Sequence, residues 1–141
     1  MISKRSIFRI ALFVALAVFL LYPFETTVVP EWKFRVVDES GNPVKGVGVK
    51  EGWRHYSVQI RRQEESLFAD DEGNVTFPRR TVRAGLLVRA VGSLIAALNP
   101  HGRSGPHAFI DVQGSYSGTA DYSPDKPIPP TLIVRRVGND P

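Results

Sequence analysis

The sequence predicts a mainly β fold: a single β-sandwich of about seven short strands with one short helix inserted, preceded by an N-terminal hydrophobic helix. Three observations carry this. Two segments, Val37-Asp38-Glu39-Ser40-Gly41-Asn42-Pro43-Val44-Lys45-Gly46-Val47-Gly48-Val49 and Ala69-Asp70-Asp71-Glu72-Gly73-Asn74-Val75-Thr76-Phe77-Pro78, each read as strand, polar glycine turn, strand. Apolar residues elsewhere recur mostly at every second position, the period of a half-buried strand. The first 24 residues differ in composition from the rest, which leaves about 115 to fold, enough for a two-layer core in one domain.

The N-terminal element comes first. Lys4, Arg5 and Arg9 precede an uninterrupted apolar run, Ile10 to Tyr22. A basic start followed by an apolar core is the pattern of an export signal. The run is 13 residues long, short of the roughly 17–25 that a bilayer span needs. Counting Ile7, Phe8, Pro23 and Phe24, with Arg9 reaching to the headgroups, extends it to 18. The stretch from Leu20 to Thr27 offers no small-x-small cleavage pattern, and no cysteine follows it to carry a lipid. The expectation is an uncleaved signal anchor over 1–24, single-pass in a bacterial inner membrane. The basic side would be cytoplasmic and the domain periplasmic. The alternative is a cleaved signal and a secreted domain. A linker is expected over 25–30, the sandwich over 31–137 and a tail over 138–141.

The strands follow in order. Trp32, Phe34 and Val36 alternate with Lys33 and Arg35, one face buried, until Gly41-Asn42-Pro43 breaks the run. Val47, Val49 and Trp53 mark a second strand. Tyr56, Val58 and Ile60 mark a third, opposed by Ser57, Gln59 and Arg61. A charged stretch then leads through Leu67 and Phe68 into Asp70-Asp71-Glu72-Gly73, read as a hairpin connection. Val75 and Phe77 face one way on the next strand, which Pro78 closes. His107 to Gln113 and Leu132 to Arg136 are two more, joined by a connection containing Pro124, Pro127, Pro129 and Pro130.

One stretch departs from the period of two. Over 83–98 the apolar residues Leu86, Leu87, Val91, Leu94, Ile95 and Leu98 follow helical spacing, and Asn99-Pro100 supplies a stop. The expected element is an amphipathic helix that packs its apolar stripe on the sandwich and leaves its arginines in water. From Gly73 to Ile110 there is no Asp or Glu, whereas Arg79, Arg80, Arg83, Arg89 and Arg103 are all present. Those five are the candidate partner or membrane surface, because an apolar stripe beside cations suits an anionic bilayer face.

The residues Val37-Asp38-x-x-Gly41-x-Pro43-Val44-x-Gly46-Val47-x-Val49, followed by Asp70-Asp71-x-Gly73-x-Val75-x-Phe77, resemble the carboxypeptidase regulatory-like domain. The match runs from Glu31 to Pro78, about a third of the chain. The resemblance implies a transthyretin-like (prealbumin-like) β-sandwich and a non-catalytic module that accompanies other proteins. It carries over no catalytic residue. After Pro78 the family continues with a glycine-aromatic strand pair, where this chain has its arginine-bearing segment.

Chemistry-bearing patterns are few. The 141 residues include no cysteine, which excludes disulfides, thiol catalysis and cysteine-ligated metals. His55, His101 and His107 are the only histidines. His101 and His107 flank a glycine-containing loop with no carboxylate before Asp111, too sparse for the three converging ligands of a metal site. Ser104 beside His107 lacks an orienting acid and a nucleophile elbow. Asp70-Asp71-Glu72 lacks the alternating oxygen ligands of a calcium loop and reads as a solvated turn. Trp53, Tyr56, Tyr116 and Tyr122 fall at strand ends or loops, where they either cap the core or stack on sugar rings.

Charge narrows the partner. Three of the 18 basic residues lie in the first nine positions, so beyond residue 24 there are 15 basic against 14 acidic residues. A net of +1 there gives nucleic acid no support. The expected function is non-catalytic, without metal or cofactor: a membrane-anchored module working by contact with an envelope protein. Glycan binding through the aromatics and membrane-surface binding through Arg79–Arg103 are the alternatives.

Overall fold

In a computed structural model, described over residues 3–99, 103–126 and 129–138, the chain is mainly β, with several sheets and two helices, an arrangement compatible with a β-sandwich. Helix α1 (Lys4–Leu21) leads into strand β1 (Phe24–Val29), then β2 (Trp32–Val37), β3 (Gly48–His55), β4 (Gln63–Phe68), β5 (Asn74–Phe77) and β6 (Arg80–Ala84). Helix α2 (Leu86–Leu98) follows. The chain closes with β7 (Pro106–Gln113), β8 (Tyr116–Ser117), β9 (Thr119–Tyr122), β10 (Thr131–Ile133) and β11 (Arg135–Arg136). His101, Pro100 and Pro127, singled out in the sequence, lie outside the described residues, as does most of the 138–141 tail.

The larger sheet has the order β4-β3-β7-β9, all antiparallel. The second, β10-β2-β5, sets β5 antiparallel and β10 parallel to β2. Two ribbons, β1-β6 and β11-β8, complete the set. The alternation read in β2 holds: Trp32, Phe34 and Val36 are buried while Lys33 and Arg35 are exposed. Their face meets Val75 and Phe77 of β5, Val49 of β3 and Ile110 and Val112 of β7 in one apolar cluster. The Trp32 ring meets Tyr122 of the larger sheet edge-on, centroids 6.0 Å apart, and so bridges the two sheets.

The two turn segments are copies of one device, Asp-x-x-Gly-Asn. In the first, Asp38 Oδ1 accepts from the backbone N–H of Ser40 and Asn42, each at 2.9 Å, and Asn42 Nδ2 donates to Oδ2 at 3.2 Å. In the second, Asp70 Oδ1 accepts from Glu72 and Asn74 N–H at 2.9 and 2.7 Å, and Asn74 Nδ2 donates to Oδ2 at 3.2 Å. Gly41 and Gly73 occupy the left-handed region at φ 83° and 81°, where a side chain is strained. The turns also meet: Val36 N–H donates to Gly73 O, and a Cβ on Gly73 would sit 2.6 Å from Val36 O. The second turn does not close a hairpin within one sheet as expected, because β4 and β5 belong to different sheets. It carries the chain across the core.

Several boundaries are corrected. Tyr56, Val58 and Ile60 form a turn, not a strand: Val58 and Gln59 N–H both donate to His55 O. The Gln59 side chain accepts from His55 N–H at 2.7 Å, a local bond that competes with ladder pairing. The strand lies instead in the charged stretch, as β4. Of residues 25–30, read as a linker, 25–29 run in β1 against β6.

The signal-anchor expectation is overturned. Among the described residues no helix is long and apolar enough to cross a membrane. α1 has 18 residues, a rise of about 27 Å, and its first turns hold Lys4, Arg5 and Arg9. The single-pass inner-membrane placement, with a cytoplasmic N-terminus and a periplasmic domain, goes with it.

Phe77 is fully buried and stacks on Phe34 with centroids 6.4 Å apart. Phe77→Ala is expected to cost about 3–5 kcal/mol through lost transfer energy and the cavity left behind. Urea denaturation followed by circular dichroism measures it, and a cost under about 1 kcal/mol would place Phe77 outside the core.

Candidate functional site

The arginine segment does not form one cationic surface. Arg79 and Arg83 both pair with Glu25 of β1, at 3.5 and 2.9 Å. Arg89, on α2, turns inward and donates to the backbone carbonyls of Ala84 (3.0 Å) and Phe24 (2.8 Å). Arg103 stands apart from these, on the wall of a groove described below.

Arg80 is the centre of a part-buried cluster. Its Nε and Nη2 both donate to Glu51 Oε2, at 2.8 and 2.7 Å, and Nη2 also reaches Glu65. Its guanidinium lies over the Trp53 ring, 4.1 Å from the centroid. Glu51 follows Val49 on the inward face of β3 and is fully buried, with Oε1 unpartnered among the described residues. Burial pushes its carboxyl above the ordinary carboxylate value, while the Arg80 hydrogen bonds and charge pull it back. The sequence carried no signal for this pair, whose members are 29 positions apart.

The aromatics are dispersed. Trp53 is half-buried under Arg80. Tyr116 and Tyr122 pack partly buried against the core. Tyr56 contacts the Arg54 guanidinium (5.0 Å) and the His107 ring (6.0 Å). They share no common exposed face. Among the described residues no group of three His, Cys, Asp or Glu side chains is placed to hold a metal ion.

What the structure does bring together is an apolar two-helix surface. Neither α1 nor α2 contains a buried residue. On α1, Phe8 and Phe13 are 69% and 73% exposed; on α2, Leu94 and Leu98 are 60% and 77% exposed. The stripe of α2 therefore points away from the sheets, the reverse of the expected packing. Its polar and small residues face inward instead. Gly92 abuts Ser57, where a Cβ would fall 1.9 Å from the carbonyl oxygen, and Ser93 Oγ bonds Ser57 Oγ at 3.1 Å. At the other end, a Cβ on Gly85 would lie 2.8 Å from Leu20 O, so the start of α2 meets the end of α1.

Between α2 and the turn at 56–60 lies a groove. One cavity of about 550 Å³ is walled by Val58, Ile60, Leu87, Val91 and Ile95. A second of about 390 Å³ shares Arg54, Tyr56, Gly92 and Ile95 with it and adds Arg103. Compared with protein-family models, curated proteins and solved structures, the chain finds no match.

Two predictions arise here. Removing the Arg80 side chain leaves Glu51 buried without its partner, so Arg80→Ala is expected to cost about 3–5 kcal/mol. The double variant Arg80→Met/Glu51→Met should recover most of that loss in thermal melts. If Arg80→Ala melts like wild type, the cluster contributes no stability.

The second concerns pH. Burial and the charge of Arg89 lower the pKa of His55; burial, Arg103 and Arg62 lower that of His107 against an opposing pull from Asp121. Both folded-state values thus lie below the ordinary histidine value of 6.5. Their contribution is fully present above that value and is lost as pH falls through the folded values. Unfolding free energy should decline as pH falls below about 7. The decline should be shallower in His55→Gln/His107→Gln, and an identical slope would remove the histidines from the account.

Proposed function

We propose that this protein is a non-catalytic module with a transthyretin-like β-sandwich, of the carboxypeptidase regulatory-like kind, that lies on an anionic lipid surface through its two helices without crossing it. The non-catalytic part rests on the resemblance of the turn segments. The contact surface rests on one observation: neither helix has a buried residue, and large apolar side chains such as Phe8, Phe13, Leu94 and Leu98 stand exposed on them.

Burying a large aliphatic or aromatic side chain is worth about 1.5–3 kcal/mol relative to leaving it in water. A surface with this many exposed leucines, valines and phenylalanines is far from its free-energy minimum in solvent. The charges around it indicate the kind of cover. Lys4, Arg5 and Arg9 stand at the start of α1, and neither helix contains an acidic residue. Apolar helix faces with cations and no carboxylates suit the boundary between headgroups and acyl chains, where each basic residue adds about 1 kcal/mol. The other cover is a protein partner with a complementary apolar face, for which headgroup charge and salt would be irrelevant.

Flotation of the full chain with lipid vesicles separates the two. Binding is expected to be stronger to vesicles containing phosphatidylglycerol than to pure phosphatidylcholine, and to weaken in high salt. Leu94→Asp/Leu98→Asp should reduce it at least about tenfold, since both residues are exposed in the folded chain. Protein that stays at the bottom of the gradient with every vesicle would overturn the lipid reading.

A further inference from the structure

The groove between α2 and the 56–60 turn has an apolar end and a cationic end, and we infer that it is a binding site for a single-chain amphiphile with an anionic head, of the long-chain fatty acid type. This goes beyond contact with a bilayer, because one wall of the groove is the 56–60 turn, which belongs to neither helix. Leu94 and Leu98 line neither cavity, whereas Val91 and Ile95 line the apolar one.

The shape is set by the backbone. Gly92 lets α2 approach Ser57 more closely than any side chain allows, and the Ser93–Ser57 hydrogen bond fixes the same contact. On either side of that contact the walls diverge. The apolar wall comes from Leu87 and Val91 of α2 and from Val58 and Ile60 of the turn. Ile60 is 89% exposed, although no strand or helix requires an isoleucine there. Each cavity falls in the range of about 300–1,000 Å³ typical of small-molecule sites.

Among the described residues, the charged side chains at the polar end are arginines. Arg54 is oriented by its Nε–H, which donates to Gln59 O at 2.9 Å, and its guanidinium is held over the Tyr56 ring. Arg103 faces it across the second cavity. Among the described residues neither arginine has a carboxylate within ion-pair distance, unlike Arg79, Arg80 and Arg83. Among the described residues no Asp or Glu lines either cavity. Two guanidiniums beside an apolar trough complement a carboxylate carried on an acyl chain. A neutral lipid would leave the cationic end unread. A soluble anion would leave the trough empty.

Fluorescence titration of the full chain with cis-parinaric acid, below its micellar concentration, tests this. Saturable binding is expected, with displacement by palmitate and not by hexadecanol at the same concentration. Val58→Trp, on the turn and outside both helices, should fill the trough and abolish the signal while leaving vesicle flotation intact. Leu94→Asp/Leu98→Asp should do the converse, so failure of the groove and failure of the lipid-surface reading are told apart. Arg103→Gln, at an exposed position, should weaken palmitate by about tenfold, and Arg54→Gln/Arg103→Gln by more. Circular dichroism confirms that each variant is folded. The inference is overturned if hexadecanol competes as well as palmitate, or if Val58→Trp binds the fatty acid as wild type does. It also falls if the signal is lost in Leu94→Asp/Leu98→Asp.

Discussion

Arg80 joins the β1-β6 ribbon to the larger sheet through charge. It begins β6, whose ribbon with β1 has α1 before it and α2 after it. Its guanidinium is held by Glu51 of β3 and Glu65 of β4, neighbours in the larger sheet. The ribbon, and the helices with it, is therefore fastened to the sheet by a charge network that is mostly out of water. Such a network contributes little net stability compared with a well-packed apolar core, but losing one member strands a buried charge. Its value here is geometric: three strands meet at one guanidinium. Val28 and Val29 add apolar adhesion from β1, fully buried in the shared core.

Fixing the ribbon fixes the helices. α2 starts two residues after β6, too few for the chain to turn the helix over. The inward face of α2 is then decided by what can fit. Ser57 comes so close that only glycine is accommodated at position 92, and the carbonyls of Ala84 and Phe24 need a donor that Arg89 supplies. An apolar stripe has no room on that side. The leucines face outward because the polar and small residues are used inward.

Much of the β framework could be read from residue pattern. Trp32, Phe34 and Val36 announce β2, and the Asp-x-x-Gly-Asn turns follow from local chemistry alone, since each aspartate bonds N–H groups two and four residues ahead. The helix also showed in its period. Its orientation did not, because periodicity states that two faces differ and not which one is inside. β1 and β6 were missed for a related reason. Each is short, carries alternating polar residues, and is a strand only by virtue of a partner more than fifty residues away. The Tyr56–Ile60 run alternates like a strand, yet the Gln59 side chain draws the backbone into a turn. Glu51 falls in phase with Val49 on β3, where the pattern allows it to be inside. Nothing local names Arg80 as its counterion.

The charge count shows the same limit from another side. Five arginines in an acid-free stretch look like one cationic surface when read along the chain. In space four of them are committed, two to Glu25, one to Glu51 and Glu65, and one to backbone carbonyls. A guanidinium already saturated by fixed partners adds little field for a ligand to feel. Arg103, the fifth, lines the groove together with Arg54, a residue that the acid-free stretch does not include. Charge that recognises something is charge the fold has left unsatisfied, and only the fold shows which that is.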